Sequence, residues 1–154
     1  MPSWQDFLDT APDLRETALA RIDSPGVVLV GTIRKDGSPR ISPVEPLIME
    51  GRLYLGMMWQ SKKALDLRRD PRCAIHSIIT RREGDEGEVK LYGRVLNVPD
   101  PAERTRYAEA VFAKINWRPE EPYHLFAVEI ESAAVISYAG EKQQVSKWPF
   151  ATRR

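Results

Sequence analysis

The spacing of apolar positions changes from a helical period to a strand period after the first two dozen residues. Trp4, Phe7 and Leu8 fall on one face of a short helix, and Ser3 followed by Asp6 resembles a capping pair. Leu14, Ala18 and Ile22 recur every four residues, which predicts a second helix over residues 13–22 that Ser24, Pro25 and Gly26 stop. The β-branched run at 27–33 then reads as a strand, Asp36-Gly37 as a tight turn, and 39–48 as the returning strand of a hairpin. Glu50-Gly51 turns the chain into a third strand at 52–58, where Leu53 and Leu55 alternate with Tyr54 and Gly56. A short helix is predicted from 62 to about 69, with Ser61 placed to cap it and Asp70-Pro71 to end it. Residues 73–79 form a fourth strand. The charged, glycine-containing stretch 80–88 is a solvated hairpin loop, and 89–98 is a long fifth strand with a possible bulge at Gly93.

Asp100, Pro101 and Glu103 supply a cap, a favoured first helical residue and a capping-box carboxylate, predicting a helix over 101–114 with Tyr107, Ala110 and Val111 on its core face. Two last strands, 124–130 and 133–139, follow a proline-containing loop, and residues 140–154 show no clear period. About seven strands joined mostly by short turns imply antiparallel pairing. Because open sheets leave exposed edges, a mainly β small barrel with peripheral helices is the expected architecture. The whole of 1–154 reads as one domain: helices over 1–24, the barrel over 25–139 and a tail over 140–154.

Composition narrows the function. The 154 residues are 42% hydrophobic and 29% charged, within the range of a single domain with its own core. With 23 basic and 22 acidic side chains the formal net charge is +1, so the overall field that a nucleic-acid binder needs is missing. The amino-terminal sequence lacks the basic start and apolar run of a leader, and no stretch approaches the roughly 18 apolar residues that span a bilayer, so a cytoplasmic location and no membrane partner are expected. Cys73 is the single cysteine, and His76 and His124 are the only histidines, from which no structural metal is expected.

The most informative chemistry lies in the segment SKKALDLRRDPR. The exposed amides of a helix start already carry partial positive charge, yet Lys62 and Lys63 stand there. An anion such as a phosphate, held by the Ser61 hydroxyl, free amides and ammonium groups, resolves that conflict; two solvated lysines also tolerate it at a cost of about 0.3 to 1 kcal/mol. Arg40, near the start of the second predicted strand, joins the same site if that strand neighbours the third. By itself, an arginine on a strand after a turn is more often an edge-protecting surface charge.

The ordered series GVVLVGTIRKDGSPRISPV, GRLYLGMMWQSKKALDLRRDPRCAIHS and EVKLYGRVLNVPDP resembles the FMN-binding split-barrel superfamily that includes pyridoxamine 5'-phosphate oxidase and its deazaflavin-using relatives. The resemblance covers roughly residues 26–101. It implies an antiparallel split β-barrel and FMN as cofactor, with the deazaflavin coenzyme F420 as the alternative. It also implies a homodimer whose partner chain completes each interface site, and a flavin- or deazaflavin-dependent oxidoreductase acting on a small molecule by hydride transfer. Cofactor-binding residues implied by it are Arg40, Ser61, Lys62 and Lys63 around the phosphate, Gly56, Met57 and Met58 along the flavin, and Ser42. The chain ends in KWPFATRR, a poor match to the basic segment with which the longer oxidases grip the substrate phosphate, so vitamin B6 oxidation is not expected. Trp148 either covers a ring system at the dimer interface or anchors the tail by packing.

Other conspicuous residues have plainer readings. Cys73 and His76 are three apart on a strand, so they face opposite sides and do not form a catalytic pair. Met57, Met58 and Trp59 either line a flat ligand or fill the core. With no recognisable catalytic dyad, catalytic residues are unassigned, and a non-catalytic flavin- or haem-binding storage module on the same barrel stands as the alternative to an enzyme.

Overall fold

A computed structural model describes residues 2–149. Helix α1 (Trp4–Thr10) is opened by the expected capping pair: Asp6 N–H donates to Ser3 Oγ at 3.2 Å and Ser3 N–H to Asp6 Oδ2 at 2.8 Å. A single 3-10 turn (Pro12–Leu14) leads into α2 (Arg15–Ile22). Strands β1 (Val28–Ile33) and β2 (Pro39–Val44) form the expected hairpin, with Asp36 Oδ1 accepting from Ser38 N–H at 2.9 Å in its turn. The remaining elements are β3 (Pro46–Met49), β4 (Arg52–Met58), α3 (Lys62–Arg69), β5 (Arg72–Ser77), β6 (Glu88–Asn97), α4 (Pro101–Ile115), β7 (Tyr123–Ala139) and β8 (Lys142–Trp148).

Three sequence expectations are corrected. Residues 39–48 are two strands, because the chain leaves β1 at Val44 and, with only Glu45 between, Pro46 pairs with Leu55 of β4. Residues 124–130 and 133–139 are parts of one 17-residue strand, continuous because its flank changes partner: β4 lies along Tyr123–Ala127 and β8 along Ala133–Ala139, while β6 runs down the other side. The tail contains β8, whose mostly exposed edge position explains the lack of period in its sequence. The bulge at Gly93 is where expected, the β6–β7 register shifting between Tyr92 and Gly93.

The antiparallel sheet runs β2-β1-β5-β6-β7-β4-β3, with β8 on β7. Its two ends, β2 and β3, are separated in sequence only by Glu45. A sheet whose first and last strands are joined by one residue must curl until they nearly meet, so the wall is a split barrel with a covalent link across its unpaired seam. The inward side chains include Val28, Val30, Leu53, Leu55, Ile75, Leu91, Val128 and Ile130, and Trp4, Phe7, Leu8, Ala18 and Ile22 of the first two helices pack into the same core. On the other face of β7, Leu125 and Ala127 meet Tyr107 and Val111 of α4 in a second buried cluster with Tyr54 and Tyr123.

Helix α4 begins as predicted, Asp100 accepting from the Ala102 and Glu103 amides at 3.3 Å, and ends at Asn116 in the left-handed conformation. Glu103 does not close a capping box. Its carboxylate is taken by β4 instead, accepting from Arg52 Nη1 at 2.7 Å and from the Tyr54 hydroxyl at 2.5 Å. Burial, followed by the neighbouring Glu103, pushes the Tyr54 phenol up to about 12. No helix among the described residues is long and apolar enough to cross a membrane.

Candidate functional site

Strand β4 delivers the chain to the site through a sharp corner. After Met58 and Trp59, Gln60 adopts a left-handed φ of 60°, and Ser61 then stands at the N-cap of α3. His124, opposite Met57 on β7, fixes this corner: its Nε2 accepts from the Gln60 amide at 3.2 Å. Its ring stacks on Trp59 with centroids 4.6 Å apart and lies parallel to Phe126 on the other side. Burial, helped by Arg68 and Arg104, lowers the His124 pKa and favours the neutral ring that this hydrogen bond requires. Nothing in the sequence assigns His124 a role, because that role depends on the β4–β7 register, which spans more than sixty residues of chain.

The lowered value fixes a pH response. The neutral imidazole contributes stability that is fully present above the unfolded value near 6.5 and is lost as pH falls through the lower folded value. Denaturant titrations are therefore expected to show a loss of stability on acidification below about pH 6. His124→Asn should remove that part of the pH dependence, and an unchanged profile would count against the clamp.

Ser61 occupies the predicted cap position without acting as a side-chain cap. With its backbone extended, its hydroxyl makes no bond to the first turn of α3, and Oγ is buried without any hydrogen-bond partner. A buried hydroxyl left unpaired costs about 1–3 kcal/mol, which a polar group brought to the start of α3 would relieve.

The two lysines of that turn diverge. Lys62 borders a small basin lined also by Arg34, Lys35, Arg40 and Arg69, with Asp36 and Asp66 as its acids. Lys63 borders a larger cleft of about 870 Å³ lined by Gly56, Met57, Met58 and Trp59 of the β4 corner, Val44 to Leu47 around the seam, and α4 with the loop that follows it. The first turn of α3 therefore stands between basin and cleft.

Arg40 belongs to the basin through a buried network. Asp66, on α3, accepts at Oδ2 from Arg40 Nε at 2.7 Å and from the Thr32 hydroxyl at 2.8 Å, and at Oδ1 from Arg69 Nη2 at 3.1 Å. Burial alone raises the Asp66 pKa, but the bonds from Arg40, Thr32 and Arg69 outweigh it and hold the carboxyl below its usual range. Arg40 gives Asp66 only Nε, the inner nitrogen of the guanidinium, and its side chain is 22% exposed. Ser42 lies two residues along β2, half-buried opposite Val30.

The other predicted residues separate. Gly56 and Met58 line the cleft, Met58 being 81% exposed; Met57 also borders it but is mostly in the barrel core. Trp148 packs under the amino-terminal helices. It is buried edge-on against Phe7 with centroids 5.2 Å apart, and its Nε1 donates to Thr10 Oγ1 at 2.8 Å. Cys73 faces the core, and burial, then Glu131, pushes its thiol up to about 12, while His76 is on the opposite face of β5 bonded to the Ser77 carbonyl.

Comparison with known proteins agrees with this architecture. The sequence profile described as pyridoxamine 5'-phosphate oxidase matches residues 14–137. No curated protein matches the sequence. Among solved structures, the conserved hypothetical protein Rv2991 from Mycobacterium tuberculosis is similar with a TM-score of 0.68 and 18% identity, over 78% of this chain and 82% of that one. A heme-binding protein from Mycobacterium smegmatis has a TM-score of 0.63 and 18% identity, over 84% of this chain but only 57% of its own length. A protein related to general stress protein 26, of the pyridoxinephosphate oxidase family, from Clostridium acetobutylicum has a TM-score of 0.58 and 17% identity, over 94% and 96% of the two chains. At these identities the structures speak to the fold, whereas the profile spans the barrel from the end of the 3-10 turn nearly to the end of β7, and the chain belongs to the pyridoxamine 5'-phosphate oxidase family.

Proposed function

We propose that this chain binds a flavin mononucleotide and uses it as an oxidoreductase on a small molecule, with the phosphate at the start of α3 and the ring system along the β4 corner. The observation that carries the reading is the buried, unpartnered Ser61 Oγ at the N-cap of α3, followed by Lys62 on the basin side and Lys63 on the cleft side. A phosphate there accepts from Ser61 and the free amides of the helix start and is neutralised by Lys62 or Lys63, satisfying an orphaned hydroxyl and an otherwise disfavoured charge pattern. Arg40, oriented by Asp66, adds a guanidinium from the basin side. The cleft beside Gly56 and Met58 takes the ring. A bound flavin supplies the hydride chemistry; the chain's own residues anchor, orient and shield it. Members of this family are typically dimeric, and the exposure of Met58 and Trp59 fits a site that a second copy completes. A deazaflavin, with its own phosphate, suits the same anchor.

Storage or sensing of a haem or flavin is the second reading, and the heme-binding neighbour motivates it. His124 presents Nε2 to the Gln60 amide, and neither imidazole lines the cleft or the basin, which favours the flavin. Multiple-turnover reduction of the bound flavin by a nicotinamide donor separates an enzyme from a storage module.

The test compares FMN with riboflavin, which lacks the phosphate. Wild type is expected to prefer FMN, and Lys62→Ala with Lys63→Ala should weaken FMN binding at least about tenfold, or about 1.4 kcal/mol, while leaving riboflavin unchanged. Equal affinity of the wild type for the two flavins overturns the phosphate assignment.

A further inference from the structure

Among the polar groups of the cleft that the flavin anchor does not use is the hydroxyl of Tyr107. Tyr107 of α4 is 6% exposed, yet it lines the cleft, and its hydroxyl forms no hydrogen bond with the described residues. The neighbouring phenol is committed, Tyr123 donating to the Arg104 carbonyl at 3.4 Å. The cationic groups at the far wall are also committed, Lys114 to Asp23 and Arg118 to Glu109, each at 2.9 Å.

The position of Tyr107 is built by the fold. Its ring is held between Tyr54 and Tyr123, with centroids 5.9 and 6.1 Å away. Its hydroxyl end sits in the space where residue 56 lacks a side chain: a Cβ on Gly56 would collide with the hydroxyl oxygen and come within 3.0 Å of Cζ. Gly56 is not in a left-handed conformation, so glycine is needed there for room and not for backbone freedom. The notch puts a fixed phenol donor against the strand backbone at the β4 corner. The surrounding wall is apolar and aromatic, with Leu47, Val111, Ile115 and Trp117. Burial, followed by Tyr123 and Glu45, raises the phenol's pKa and keeps the proton on it through neutral pH.

We propose that Tyr107 is a specificity-determining hydrogen-bond donor of the cleft, reading a carbonyl oxygen or ring nitrogen on a planar conjugated ligand laid beside Gly56. This rests on the flavin reading for its location and deepens it, since such an acceptor is carried both by a flavin ring and by a conjugated dione that exchanges hydride with one. A donor on the wall of an apolar cleft, cut off from water once a ligand lies over it, discriminates between an acceptor-bearing ligand and a hydrocarbon of the same shape, because the hydrocarbon leaves the donor unpaired.

The experiment uses the full chain, Tyr107→Phe, which removes only the hydroxyl, and Gly56→Ala, which closes the notch and displaces the phenol. Riboflavin, menadione and 2-methylnaphthalene are the probes, the last having the menadione frame without its carbonyls, and the two naphthalenes are titrated with and without saturating FMN. If the coenzyme ring is the acceptor, Tyr107→Phe weakens riboflavin about tenfold and shifts its bound absorption spectrum. If the redox partner is the acceptor, riboflavin is unchanged, and the wild-type preference for menadione over 2-methylnaphthalene, about tenfold, disappears in Tyr107→Phe and in Gly56→Ala. The proposal is overturned if neither riboflavin affinity nor the menadione preference changes in Tyr107→Phe, or if the wild type shows no such preference and riboflavin is unaffected. Failure of wild type to bind FMN or riboflavin defeats the flavin reading separately, and the menadione comparison without FMN then decides the role of Tyr107.

Discussion

Replacing Asp66 by alanine is expected to destabilise the protein by about 2–3 kcal/mol, lowering the melting temperature by roughly 5–10 °C. The carboxylate side chain is 5% exposed and neutralises two guanidiniums, from Arg40 on β2 and Arg69 on its own helix, while accepting from Thr32 on β1. Removing one partner of a fully buried pair costs about 3–5 kcal/mol, and the partial exposure of both arginines places this case below that range. Asp66→Asn keeps an acceptor oxygen and should recover part of the loss. Because the folded pKa is lowered, the carboxylate's contribution is present above the ordinary value near 3.8 and is lost as pH falls through the lower folded value, so wild type and Asp66→Ala should converge in stability in strong acid. Thermal melts at neutral and acid pH measure this, and equal stability of the two proteins at pH 7 would show that the network holds nothing.

The second large effect is expected at the bulge. A Cβ at Gly93 would overlap the Glu129 carbonyl oxygen and lie 3.2 Å from the Glu131 amide nitrogen, both backbone atoms of β7. Neither can rotate aside without breaking the longest ladder of the sheet, so Gly93→Ala is expected to cost at least about 3 kcal/mol or to prevent folding. Gly37→Ala is the matched control. It has open space around it and a φ of +86°, so it should cost only about 1–2 kcal/mol through its backbone conformation. Chemical denaturation of the two variants compares them directly, and similar losses would mean that close approach at the bulge is not what requires glycine there.

These two positions show what could be read in advance. Gly93 was legible as a bulge because a lone glycine interrupts an otherwise regular strand, and the β1–β2 hairpin, α3 and α4 were legible because their turn and cap residues are local. What escaped depends on partners distant in sequence. Nothing in residues 39–48 marks Glu45 as the place where the chain changes strands, since Val44 and Pro46 differ only in which neighbour they pair with. The continuity of β7 was hidden by Glu131 and Ser132, polar residues beside the bulge where flanking partners exchange. Strand β8 is mostly solvated and so carries no hydrophobic rhythm. At the candidate site, Ser61, Lys62 and Lys63 stand out in the sequence by the cap and the charge at a helix start, whereas Gly56 enters only through the family resemblance. Asp66, His124 and Tyr107 do not stand out, because an aspartate in a helix, a histidine in a strand and a tyrosine on a core face acquire their roles only through the elements set against them.

Strand β7 has a mechanical consequence. One uninterrupted backbone is hydrogen-bonded to β6 along most of its length, to β4 beside the cleft and to β8 beneath the amino-terminal helices. Fraying at either end unzips a ladder on the opposite side as well, which couples the floor of the barrel to the rim that would carry the ligand. Hydrogen exchange is therefore expected to be slowest along β7, and any opening that admits a ring is expected at the seam around Glu45 or in the loop after α4.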